Sequence, residues 1–113
     1  MRKAKVYMHN SWAGIITENE EGYHFQYRND YLKADYPEPV SLTLPIQNEP
    51  FKSQVLFPFF DGLIPEGWLL EIAEKNWKLN ERDRMGLLLK TCRDCIGAVS
   101  IEPHEDNDKE NEG

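Results

Sequence analysis

The chain has 113 residues, of which 40% are hydrophobic and 12% aromatic, and its formal net charge is −7. This length and composition predict a single domain that buries a core without metal ions or disulfides to support it. No apolar run is long enough to span a bilayer and no signal-peptide core follows the basic start, so we expect a cytoplasmic protein.

The charge is unevenly distributed. Residues 102–113 hold six acidic residues and one lysine, a net −5, whereas residues 1–101 hold twelve basic and fourteen acidic residues, a net −2. We therefore assign the domain to residues 1–103 and an acidic tail, predicted to be disordered, to residues 104–113. The tail is interpreted either as a solubilising end or as an acidic docking arm. The near-neutral body has no run of Lys and Arg, which argues against direct binding of nucleic acid.

The first half of the chain alternates apolar and polar side chains with the period of a β-strand. Strands are predicted at residues 5–9, 12–18, 23–28 and 40–44, with a brief one at 54–57. Short turns between the first three predict an antiparallel meander. In the strand at 40–44 we expect Val40, Leu42 and Leu44 to face inward. Residues 29–36 fit a short helix or an extended turn, and the pattern leaves this choice open.

Two helices are predicted next. Pro65 suits the first turn of a helix, whose apolar face then comprises Leu69, Ile72, Ala73 and Trp77. Asn80 is the predicted N-cap of the second helix, with Asp83 placed as in a capping box, and its apolar face comprises Met85, Leu88, Leu89 and Cys92. Residues 97–101 are predicted to return to the sheet as a last strand. This order predicts an α+β fold, in which a small, partly barrel-like antiparallel β-sheet packs with two main α-helices.

Cys92 and Cys95 have the CxxC spacing of metal and redox sites. A zinc site needs about four ligands, and the three histidines are far away in the sequence. A redox CxxC usually opens a helix after a strand, whereas this pair closes a helix. Both cysteines are therefore interpreted as buried and structural, and we expect no metal and no cofactor.

Two short segments resemble parts of protein-kinase motifs, Phe60-Asp61-Gly62 and Arg93-Asp94. They occur in the reverse of the kinase order, and neither a glycine-rich phosphate loop nor an HRD triplet accompanies them. The sequence also lacks GxSxG, Walker and HExxH motifs. We therefore expect that this chain is not an enzyme.

The stretch FPFFDGLIPEGW at residues 57–68 is the most unusual in the chain. Its two prolines and two glycines predict an irregular loop, although its side chains are mostly apolar and need a cover. The domain core is the favoured cover for most members of the set Phe57, Phe59, Phe60, Leu63 and Ile64. Trp68 lies roughly 100° around the predicted helix from its apolar stripe, so core burial and use as an interface anchor fit it equally. Trp12 is a second candidate anchor.

Residues 59–68 and the later DCIGAVSI segment at 94–101 resemble the N-terminal subdomain of HipA-type serine/threonine kinases. That family carries a loop of the form PFFxNLLPEG and, further along, a strand of the form DCxGAxxxxP. Pro103 matches the last proline, whereas Gly62 stands where the family often has Asn. The resemblance covers residues 4–103.

The resemblance implies a function. HipA toxins continue into a kinase core, and the sequence stops before one, so it is similar to the separate HipS-like antitoxin of three-component HipBST toxin–antitoxin systems. The implied partners are a HipA-like kinase toxin (HipT) and, within a ternary complex, a HipB-like DNA-binding protein. The implied partner-binding residues are Trp68, Phe59, Phe60, Asp61, Leu63, Ile64 and Glu66. The alternative is a structural or activating subunit that completes a split HipA-type kinase.

Overall fold

The computed structural model describes residues 2–65, 67, 82–92 and 98–104, and these form a sheet with helices packed on its inner face. The described elements, in chain order, are β1 (Arg2–Met8), β2 (Ser11–Asn19), β3 (Gly22–Tyr27), α1 (Asn29–Leu32), β4 (Phe51–Ser53), α2 (Pro58–Asp61), α3 (Arg84–Thr91) and β5 (Val99–Pro103). None of the helices in these residues is long and apolar enough to cross a membrane.

Within the described residues the sheet has five strands in the order β4-β3-β2-β1-β5, and every neighbouring pair is antiparallel. The predicted meander is confirmed in β1 to β3, and the predicted last strand returns as β5, with Ile101 opposite Val6. The expectation of a partly barrel-like sheet is wrong. Closure would require the two edge strands to pair, but β4 has only three residues and β5 pairs with β1 at the opposite edge.

The core lies between the inner face of the sheet and the helices. Alternate residues of β1, β3 and β5 are buried there, as the period-two pattern predicts, whereas the register shift opposite Val6 and Tyr7 interrupts the alternation in β2. The buried apolar residues of the strands are Ala4, Val6, Met8, Ala13, Ile16, Phe25, Tyr27, Val99 and Ile101. Helix α3 contributes Met85, Leu87, Leu88 and Cys92, while Leu89 is partly buried. Each large apolar side chain buried in this way contributes about 1.5–3 kcal/mol.

The predicted strand at residues 40–44 is wrong, because these residues form a tight turn. Leu44 N donates to Ser41 O at 3.0 Å, and the two residues form an isolated bridge. Val40 and Leu44 are buried as expected, but Leu42 is 96% exposed. The reason lies in β3: the Tyr27 hydroxyl accepts a hydrogen bond from Val40 N and donates one to Leu44 O. These backbone groups are therefore paired with a side chain instead of a neighbouring strand.

The structure also decides two further predictions. The brief strand predicted at residues 54–57 is wrong, because β4 lies at Phe51–Ser53, where Phe51 pairs with Phe25 on β3 and their rings stack at 6.2 Å. Residues 29–36 begin as the short helix α1, closed by a hydrogen bond from Lys33 N to Asn29 O at 3.0 Å. The open choice between helix and turn is thus settled for the first residues of that segment.

Helix α3 has Asp83 as its N-cap, since the Asp83 carboxylate accepts a hydrogen bond from Gly86 N at 3.0 Å. The prediction that Asn80 is the N-cap of this helix is wrong, because the helix begins at Arg84 and Asp83 caps it. Asn80 itself, the predicted helix after Pro65 and Cys95 lie outside the described residues. Residues 105–113 of the acidic tail also lie outside them, so the domain boundary and the disorder of the tail stay predictions.

Candidate partner-binding surface

The apolar stretch at residues 57–68 begins with a helical turn, so the prediction that it is irregular throughout is wrong. Pro58 occupies the first turn of α2, where its fixed φ fits a helix and its missing N–H costs nothing. Asp61 N donates to Phe57 O and Gly62 N donates to Pro58 O, both at 2.9 Å. The backbone of residues 57–62 is therefore held by its own hydrogen bonds.

Phe60 fixes α2 to the sheet. Its side chain is fully buried, and its ring centroid lies 5.3 Å from that of Phe25 and 5.2 Å from that of Phe59. Ile64 is also buried, at 8% exposure. Of the predicted partner-binding residues, Phe60 and Ile64 thus lie in the core, beneath the partly exposed residues of the same stretch.

Hydrogen bonds join α2 and the residues after it to α3 and its C-cap. The Arg84 guanidinium donates to the Asp61 carboxylate, with Nε 2.6 Å from Oδ1, and the Cys92 thiol donates to Leu63 O at 3.1 Å. Cys92 is therefore buried, as predicted. No cluster of His, Cys, Asp and Glu suited to a metal ion occurs in the described part of the chain.

Three predicted partner-binding residues remain at the surface. Phe59 and Leu63 pack against the core but are only partly buried, and Asp61 lies between them in the sequence with 39% of its side chain exposed. We call Phe59, Asp61 and Leu63 the α2 surface. Glu66 and Trp68, the other two predicted contact residues, lie outside the described residues.

The sequence pattern did not reveal an ionic link that positions α3. Arg2 donates to the carboxylate of Glu18, with Nε 2.6 Å from Oε1, and to that of Asp83, with a nitrogen 2.7 Å from Oδ1. The hydrogen bond from Arg2 lowers the pKa of Asp83, because it favours the ionised carboxylate. A basic residue at the start of a strand gives no sign of such a partner.

The sequence pattern also did not reveal a group of basic residues on the outer face of the sheet. This face brings together Lys3, Lys5, Arg28 and Lys52, four basic residues that are separated in the sequence. Trp12 lies on the same face, partly buried, with its indole N–H donating to Gly14 O at 3.1 Å. The available signal was the outward position of the lysines in the alternating strands.

Comparison with known proteins identifies the family. The family model of the HipA N-terminal domain (Couple_hipA) matches residues 4–102. The chain belongs to the HipA N-terminal domain family. A solved structure described as "N-terminal domain of HipA toxin" superposes on this HipA N-terminal domain with a TM-score of 0.72 at 31% identity, covering 93% of this chain and 94% of that one.

Two curated relatives differ in the share of their length that matches this chain. An uncharacterized protein of Haemophilus influenzae is 36% identical over 102 residues, which cover 90% of this HipA N-terminal domain and 92% of that protein. A protein of Sinorhizobium fredii named "Putative kinase Y4mE" is 26% identical over 106 residues, which cover 93% of this chain and 25% of that protein. This chain therefore spans a quarter of the length of the Sinorhizobium fredii relative. The resemblance predicted from the sequence is confirmed for the family.

Proposed function

We propose that this HipA N-terminal domain binds a HipA-like serine/threonine kinase toxin and neutralises it as an antitoxin. One observation carries the proposal: the same domain makes up 92% of one relative and 25% of another that is named as a kinase. A domain that occurs both inside a kinase-named chain and as almost a whole protein suits a role on the surface of such a kinase. The proposed place of action is the cytoplasm.

The α2 surface supports this proposal, because it offers apolar side chains on a fixed backbone. Phe59 rests on the buried ring of Phe60, and Leu63 is held near α3 by the hydrogen bond from Cys92 to its carbonyl. A preorganised surface loses less conformational freedom on binding, which leaves more of the contact energy for affinity.

The proposed contact extends beyond the α2 surface. A stable complex buries about 20–30 residues on each side, so Phe59, Asp61 and Leu63 would form only its centre. Trp68 and Glu66 follow closely in the sequence and complete the proposed contact. Trp68 is the proposed anchor, since Trp is enriched among residues whose truncation costs about 2 kcal/mol or more of binding. A HipB-like DNA-binding protein is the proposed third member of the complex.

A second candidate function is a structural or activating subunit that completes a split kinase. The Sinorhizobium fredii relative favours it, because there the matching domain lies within a chain that is itself named as a kinase. The two candidates differ in the sign of their effect. An antitoxin lowers the activity of the kinase, whereas a completing subunit raises it.

Titration of a HipA-like kinase from the same genome with this protein tests both. Under the antitoxin proposal, kinase autophosphorylation falls as the protein is added, and co-expression rescues growth. A rise in autophosphorylation would establish the completing subunit instead. If the two proteins do not co-purify and the rate does not change, both candidates are excluded.

Variants then test the surface. Trp68→Ala and Phe59→Ala should each weaken co-purification at least 10-fold, the equivalent of about 1.4 kcal/mol. Leu42→Ala is the matched control, because Leu42 is an exposed apolar residue on the turn at 40–44. Co-purification that is unchanged in both Trp68→Ala and Phe59→Ala would show that the contact lies elsewhere.

A further inference from the structure

The outer face of the sheet carries an excess of positive charge. We call Lys3, Lys5, Arg28 and Lys52 the cationic face. The strand register places Lys3 opposite Thr17, Thr17 opposite His24 and His24 opposite Lys52, so one row crosses four strands. With neighbouring strands about 4.8 Å apart, this row is about 14 Å long.

The lysines of the cationic face form no ion pair among the described residues. None of the ion pairs there uses Lys3, Lys5 or Lys52. The acids nearby are Glu102, which lies opposite Lys5 in the strand register and accepts a hydrogen bond from Tyr7, and Asp30, which lies 3.4 Å from Arg28. A chain with a net charge of −7 therefore presents a locally basic surface.

A shallow groove runs across this face. It has a volume of about 590 Å³, and its lining includes Lys3, Thr17, His24, Gln26 and Arg28. Most of the lining side chains are basic or can donate hydrogen bonds; Ile15 and Pro50 are apolar, and Asp30 is the acid of the lining. Such a groove fits an extended segment that carries carboxylates.

The described chain ends at the border of the cationic face. His104 N donates to Lys3 O at 3.0 Å, and the His104 ring meets the edge of Trp12 with centroids 5.7 Å apart. The next nine residues contain five acids and one lysine, Glu105, Asp106, Asp108, Lys109, Glu110 and Glu112. The most acidic segment of the sequence therefore follows directly on a residue that contacts the cationic face.

We propose that residues 105–113, the acidic segment, dock on the cationic face of the same molecule. Nine residues reach up to about 30 Å when extended, which exceeds the length of the lysine row. Attachment at His104 gives the segment an effective concentration in the millimolar range. Weak exposed ion pairs can then hold it, although the same pairs would not capture a separate peptide at micromolar concentration.

Two observations favour this occupant over a nucleic acid. The net charge of −7 repels a polyanion at long range. The Arg28 guanidinium already lies 3.9 Å from the centroid of the Trp12 ring, and Lys5 Nζ lies 4.7 Å from it. Stacking of bases on aromatic rings is the usual mode of single-strand binding. Here the side chains of Lys5 and Arg28 already cover the Trp12 ring.

Backbone NMR of the full chain tests the proposal. A tail-neutral variant replaces Glu105, Asp106, Asp108, Glu110 and Glu112 by the matching amides, and a face-neutral variant carries Lys3→Gln, Lys5→Gln and Lys52→Gln. Tail neutralisation should shift the amide signals of Lys3, Thr17, His24 and Lys52. Tail neutralisation in the face-neutral background should give shifts at least three-fold smaller. In the native background, 0.5 M NaCl should reduce the shifts caused by tail neutralisation by a similar factor.

A matched control neutralises two acids elsewhere, Glu20→Gln with Glu21→Gln on the turn between β2 and β3. This variant should leave the signals of Lys5 and Lys52 unchanged. The proposal is overturned if tail neutralisation moves only signals of residues 104–113, or if the shifts persist undiminished in the face-neutral background. It is also overturned if an oligothymidylate shifts the cationic face of the native chain at micromolar concentration, which would assign the face to nucleic acid.

Discussion

Asp61 at the end of α2 and Arg84 at the start of α3 form an ion pair through two contacts, at 2.6 Å and 3.3 Å. Their side chains are 39% and 36% exposed, so water screens part of the attraction. The pair ties the end of α2, which carries Phe59 and is followed by Leu63, to the start of α3. We therefore expect the pair to hold the α2 surface in position and to contribute little to the stability of the fold.

A double-mutant cycle with Asp61→Ala and Arg84→Ala checks this view. We expect a coupling energy below about 1 kcal/mol in the free energy of unfolding, as is usual for exposed pairs. Urea denaturation of the four proteins measures it. A coupling above about 2 kcal/mol would mean that the pair is a main support of the fold, since exposed pairs do not reach that value.

Phe60 and Phe59 are adjacent but should respond differently to truncation. Phe60→Ala removes a fully buried ring and should cost about 3–5 kcal/mol of unfolding free energy. Phe59→Ala removes a partly buried ring and should cost less than about 2 kcal/mol, while it weakens binding to the kinase. Thermal or urea denaturation separates the two. Equal losses of stability would show that Phe59 is a core residue and not part of a binding surface.

The sequence predicted strands well where one face is buried throughout. In β1 and β3 the alternation of side chains follows the core, and the short turns on either side of β2 leave one simple pairing. It failed at residues 40–44, where Val40 and Leu44 are buried but Leu42 is exposed. Alternation shows which side chains are apolar, and it cannot show that a tyrosine hydroxyl will bind the backbone of that segment.

The candidate site was predictable only in part. The apolar composition of residues 57–68 singled out the correct stretch, yet it did not separate the buried Phe60 from the partly buried Phe59. That distinction depends on the direction of one helical turn and on its contact with Phe25. The cationic face depends likewise on register, because Lys3 and Lys52 come together only through two intervening strands.

The Tyr27 hydroxyl should contribute measurably to stability. Tyr27→Phe leaves Val40 N and Leu44 O without their shared partner in a buried environment. We expect a loss of about 1–3 kcal/mol in the free energy of unfolding. Tyr31→Phe is the matched control, because Tyr31 also bonds a backbone N–H and carbonyl, those of Glu38, but at an exposed site where water can replace it. Similar losses in both variants would contradict the proposed role of burial.

The link between Arg2 and Asp83 should make stability depend on pH in acid. The pKa of Asp83 is lowered from 3.8, chiefly by the hydrogen bond from Arg2. Because the pKa is lower in the folded state, the stabilisation is fully present above pH 3.8 and is lost as the pH falls through the folded-state value. Asp83→Asn keeps an N-cap acceptor but removes the charge, so its unfolding free energy should vary less below pH 4 than that of the native protein.

Urea denaturation at a series of pH values from neutral to about pH 2 checks this expectation. Asp30→Asn is the matched control, since Asp30 is 78% exposed on its side chain and pairs only loosely with Arg28, at 3.4 Å. This variant should keep the acid dependence of the native protein. If Asp83→Asn follows the native curve through the acid range, the ion pair at the start of α3 contributes nothing to stability, and the cap hydrogen bond to Gly86 alone accounts for the role of Asp83.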